Sequence, residues 1–163
     1  MGRLLSALVV VAVGFLAVPT VASAQIDEVR IVVNGLTCNL CAAGLERSLR
    51  KLDGVASVRV TLDDETARVT LKPAAIFDAD RFRAAVTDAG QETRLVELRL
   101  RGAVRQHDGA YSVEARPGML LAFGPTSVAR LQPYTGKTVR VRARVSSPAR
   151  SPLELDLIDA ALQ

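Results

Sequence analysis

Residues 29–45 read Val29-Arg30-Ile31-Val32-Val33-Asn34-Gly35-Leu36-Thr37-Cys38-Asn39-Leu40-Cys41-Ala42-Ala43-Gly44-Leu45. Within them the hydrophobic period changes from two to 3.6. Val29, Ile31 and Val33 alternate with polar positions, as a half-buried strand requires, and Gly35 breaks the run. From about Asn39 to Leu52, Ala42, Leu45, Leu49 and Leu52 fall on one helical face, with Thr37 or Asn39 expected to cap the start and Gly54 to end it. Both cysteines of the chain sit at this joint, Cys38 in the loop and Cys41 in the first helical turn. Thiols there meet unpaired backbone N–H groups and the positive end of the helix dipole, which favours thiolate. Two thiolates make a soft site suited to thiophilic ions, whereas a structural zinc site takes four Cys or His ligands.

The pattern continues downstream. Val58, Val60 and Leu62 and then Ala67, Val69 and Leu71 alternate on either side of Asp63-Asp64-Glu65, which makes a hairpin. A second helix is expected over about Ala79 to Ala89, capped by Asp78 or Asp80, with Phe82, Ala85, Val86 and Ala89 inward and Gly90 as its stop. A fourth strand follows from about Glu92 to Arg101. The fold class is therefore α+β, and the order β-α-β-β-α-β is the ferredoxin-like one.

Three landmarks stand in register: Gly35-Leu36-Thr37-Cys38-Asn39-Leu40-Cys41, Leu52-Asp53-Gly54-Val55-Ala56-Ser57-Val58, and Asp88-Ala89-Gly90. With them, residues 27–98 resemble the heavy-metal-associated domains of copper chaperones, metal-pumping ATPases and the periplasmic mercury-binding protein. The resemblance implies a soft cation held between Cys38 and Cys41 and passed to another thiol protein. Cu(I) is the expected ion, with Hg(II) or Zn(II) as alternatives, and a thiol-containing metal transporter or acceptor is the expected partner. Two positions depart from the family. Leu36 replaces the usual Met, a near-isosteric swap. Gln91 replaces an aromatic that often covers the metal loop.

Upstream, Arg3, the apolar run Leu4 to Val18 and Ala22-Ser23-Ala24 have the form of a cleaved export signal over residues 1–24. An uncleaved anchor is the alternative and the one route to a membrane, although the run is short of the roughly 20 residues that a span needs. The protein is expected to be periplasmic or secreted.

Charge divides the rest. Residues 25–97 carry 10 Lys and Arg against 12 Asp and Glu, and residues 98–163 carry 10 against 5. A boundary at 97/98 is expected, between the metal module and a small β-rich module. In the latter, Val104, Tyr111 and Val113 flank the hairpin signal Asp108-Gly109. Leu120 to Phe123 forms an apolar run, Thr126 to Leu131 one or two helical turns, and the alternating runs Val139 to Val145 and Leu153 to Leu157 the last strands. This succession suits an OB-like barrel.

The other candidates carry less. His107, the single histidine, falls in a turn, and Met119 lies beside Leu120 and Leu121 as core would. Arg140, Arg142 and Arg144 are expected to face Glu154 and Asp156 across a hairpin, so no nucleic-acid partner is inferred. No catalytic constellation is evident, and the chain is not read as an enzyme. Two other readings stay open: a thiol-disulfide redox protein using the same pair, and a non-metal adaptor whose β module docks a partner.

Overall fold

The computed structural model describes residues 25–146 and 153–163, so the expected leader lies outside the described residues. The elements are β1 (Gln25–Asn34), α1 (Asn39–Arg50), β2 (Val55–Thr61), β3 (Thr66–Leu71), α2 (Ala79–Asp88), β4 (Glu92–His107), β5 (Ala110–Arg116), β6 (Met119–Phe123), α3 (Val128–Leu131), β7 (Thr138–Val145) and β8 (Glu154–Leu162). The first six give the β-α-β-β-α-β order, with sheet order β2-β3-β1-β4 and every pairing antiparallel.

The two helices cover one face of that sheet because the inward positions of both match. Val29, Ile31 and Val33 of β1, Leu45 and Leu49 of α1 and Val86 of α2 are all fully buried. Burying each such side chain contributes roughly 1.5–3 kcal/mol relative to exposure. Asp78 caps α2, its Oδ1 accepting from Asp80 N at 3.0 Å and Arg81 N at 3.3 Å.

The expected boundary at 97/98 falls in the middle of β4, a strand of 16 residues that serves both modules. Its alternation is unbroken, with Val96, Leu98, Leu100 and Val104 all buried, so no linker signal exists. β4 pairs with β1 over Glu92–Arg101 and with β5 over Ala103–His107, while β7 lies along its other edge from Glu97 to Ala103. Gly102 stands where the partner changes from β1 to β5. A Cβ there would sit on the Glu114 carbonyl and 2.7 Å from Val113 Cγ1, so the close approach requires glycine.

Five strands then close on themselves in the order β4-β5-β6-β8-β7 and back to β4, with β6 and β8 parallel and the rest antiparallel. Asp108 and Gly109 turn the β4–β5 hairpin with φ of 50° and 80°, as a tight Asp-Gly turn demands. Leu131 of α3 is fully buried against this barrel. The α3 region also satisfies the edge of β8. Arg130 donates to the carbonyls of Leu157 (2.8 Å) and Ile158 (2.6 Å), and Ser127 Oγ accepts from Leu157 N at 2.9 Å.

The arginine stripe is answered differently from expectation. Asp156 does stand in register with Arg144, but the ion pair forms between Arg142 Nε and Asp159 at 2.7 Å. A register shift between Arg142 and Ala143 moves the partner on by one residue. Glu154 turns instead toward Gly124, where a Cβ would lie 2.6 Å from its Oε1. The core is one contiguous cluster running from α1 through β4 into β8. No helix among the described residues is long and apolar enough to cross a membrane.

Candidate metal centre

The last residue of β1, Asn34, pairs with Glu92, and Gly35 at φ 84° turns the chain out of the sheet. Leu36 then returns to the core, 3% exposed, and anchors the loop as an apolar residue in the Met position should. Its N–H donates to Glu65 Oε1 at 3.3 Å, while the Glu65 carbonyl accepts from Val33 N at 2.9 Å. Glu65 therefore braces both sides of the turn. The sequence offers no local signal for this, because the contact spans 29 residues and Glu65 reads as part of a polar hairpin turn.

The expected cap is also corrected. Neither Thr37 nor Asn39 caps α1; Cys38 does, with extended backbone (φ −146°, ψ 156°) and its Sγ accepting from Cys41 N at 3.0 Å. Sulfur thus occupies the place an Asp or Ser oxygen usually takes, facing the free N–H groups of the first turn. No acidic residue lies in that turn, so backbone dipole and N–H groups act on the sulfur uncompensated.

Cys38 is exposed and Cys41 half-buried against the core, with Leu40 between them 85% exposed. The two sulfurs are joined as a disulfide, with the Cα atoms 5.1 Å apart. In this oxidised form neither sulfur is free to take a cation; two-electron reduction would leave two adjacent thiolates. Gln91 half-covers the loop, its Oε1 lying 3.5 Å from where a Cβ on Gly35 would stand and buried without a hydrogen-bond partner among the described residues.

The structure places the other candidate ligands elsewhere. β4 begins beside the cysteine loop and ends at His107, whose ring is 92% exposed and 3.2 Å from Asp108. Met119 opens β6 and lines a cavity of about 220 Å³ with Gln25 and Ile26, at the end of β1 opposite Gly35. No group of three or more His, Cys, Asp or Glu side chains gathers among the described residues.

Residues 30–92 match the profile described as the heavy-metal-associated domain. They form a heavy-metal-associated domain. Human copper-transporting ATPase 2 is 32% identical over 109 residues, which is 66% of this chain and 7% of that protein. The copper-exporting P-type ATPase of Bacillus subtilis is 40% identical over 47 residues, 29% of this chain and 6% of that protein. The chain thus spans less than a tenth of each of these two relatives. Among solved structures, the oxidised MerP of Ralstonia metallidurans CH34 is similar at 29% identity, with 42% of this chain and 94% of that one covered and a TM-score of 0.38.

Proposed function

We propose that the chain is a soft-metal carrier or scavenger and not a catalyst. When reduced, it holds one Cu(I) between the Cys38 and Cys41 thiolates and passes it to a thiol-containing transporter or acceptor. The observation that carries this reading is the sulfur pair itself. One sulfur caps a helix, the other lies in its first turn, their Cα atoms are 5.1 Å apart, and Cys38 is exposed. Exposure suits hand-over, since an incoming thiolate can attack the metal while the first two still hold it. The names of the copper-transporting relatives support copper as the cargo. Hg(II) is the next ion that two thiolates favour, and Zn(II) would want further ligands.

The leader at residues 1–24 supports an exported, periplasmic or secreted carrier. The second module is best read as OB-like, because its five strands close in a Greek-key order with a short helix before β7. It supplies a basic body beside the slightly acidic metal domain, and that charge asymmetry can orient encounters with a partner.

The test is a Cu(I) titration of the protein against a chromophoric Cu(I) chelator. The reduced protein is expected to withdraw one equivalent and the disulfide form none. Equal withdrawal by both forms would place the ion elsewhere. A second reading, thiol-disulfide exchange, is favoured by the closed disulfide. It predicts catalytic turnover of a disulfide substrate with no need of metal, which the metal-carrier reading does not.

A further inference from the structure

Three arginines from three separate elements meet where the two modules join. Arg83 comes from α2, Arg94 from the start of β4 and Arg144 from the end of β7; with Thr93, Ser146 and Asp156 they line a cleft of about 260 Å³. Arg83 is engaged with Asp80 at 3.1 Å, whereas Arg94 and Arg144 have no carboxylate within 4.0 Å among the described residues. Arg144 lies in register between Glu97 and Asp156. Both carboxylates are turned to other partners, Glu97 to Arg30 at 3.2 Å and Asp156 to the Ser146 hydroxyl at 3.1 Å.

Two further observations describe the floor of the cleft. Thr93 Oγ1 is buried with no hydrogen-bond partner among the described residues. Pairing between β4 and β7 begins only at Glu97, so the first residues of β4 have no strand on that edge.

We propose that this cleft binds a small polyvalent oxyanion, of the kind presented by inorganic phosphate or a short dicarboxylate. Guanidinium groups match such oxygens two at a time, and three of them face a single lining carboxylate. Because the arginines are partly open to water, binding should be modest, with a dissociation constant on the order of 1 mM. The site contains no thiol and does not depend on the metal reading.

The experiment is a ¹⁵N NMR titration of the chain in its disulfide form, with sodium phosphate, with sodium succinate, and with sodium chloride at matched ionic strength. The expected result is a saturable shift of the Thr93, Arg94 and Ser146 amides with phosphate. The shift should be lost in the Arg94→Gln/Arg144→Gln double variant while the remaining resonances keep their positions. An equal response to succinate would show that carboxylate oxygens serve as well, and a phosphate response alone would narrow the ligand to phosphate groups. Shifts that follow ionic strength equally with chloride, or that persist in the double variant, would overturn the proposal.

Discussion

The two ends of β4 carry the two kinds of residue that could ligate a soft ion, and they are built in opposite ways. At its start, β4 lies beside a loop held by Leu36 and Glu65, where Cys38 caps a helix and Cys41 lies in its first turn. At its far end, His107 is the last residue of the strand, paired with Ala110 beside the Asp108-Gly109 turn, its ring almost wholly in solvent and 3.2 Å from the Asp108 carboxylate. Ligand chemistry is present at both. What differs is that one end fixes two sulfurs against a helix N-terminus and the other fixes nothing, so only the first end sets aside the entropy of ordering its ligands before a metal arrives.

The largest effect should come from breaking the built end. Cys41→Ser is expected to weaken Cu(I) binding by at least ~3 kcal/mol, more than a hundredfold, because half of a two-sulfur site is lost. In contrast, His107→Ala and Met119→Leu should leave affinity within a factor of about 3. Chelator competition on the three reduced variants measures the contrast, and a loss at His107 equal to that at Cys41 would dissolve it.

Next in size are substitutions that test whether the two modules fold as one. The core is continuous through β4, so Leu155→Ala in the barrel should cost roughly 2–5 kcal/mol. Urea unfolding followed from α1 and from the barrel should then show one shared, lowered midpoint. Two separate transitions would mean that β4 does not couple the halves. Gly102→Val places a branched side chain against the Glu114 carbonyl and is expected to destabilise by roughly 1–3 kcal/mol, visible in the same experiment.

Smaller effects are expected at the helix cap and on the sheet surface. Asp78→Ala removes the acceptor for two N–H groups of α2 and should cost about 1 kcal/mol. Arg142→Ala breaks an exposed pair with Asp159, whose members are 44% and 50% exposed, and should cost no more than about 1 kcal/mol. Thermal denaturation resolves the order of these two.

What was legible in the sequence follows from how local each cause is. The alternation of Val29, Ile31 and Val33, the helical face through Leu45 and Leu49, and the Asp108-Gly109 turn are local patterns, and the elements they imply are present. Cys38 escaped notice as a cap because capping preferences are written for oxygen, whereas here a sulfur makes the same hydrogen bond. At 97/98 the composition changes while the backbone continues through β4. The strand shared between modules carries Gly102 inside continuous pairing, and no proline interrupts it to mark a boundary. Glu65 under Leu36 and Asp159 opposite Arg142 depend on a nonlocal contact and on a register shift, neither of which periodicity reports.

Once reduced, the Cys38–Cys41 pair is expected to select Cu(I) without a further ligand from the rest of the chain. Native mass spectrometry of the reduced protein offered Cu(I), Zn(II) and Hg(II) as separate pairs addresses it directly. The expected result is a single metal per chain, Cu(I) retained against excess Zn(II), and no metal adduct on the disulfide form. Preferential retention of Zn(II), or an adduct that survives oxidation of the pair, would contradict it.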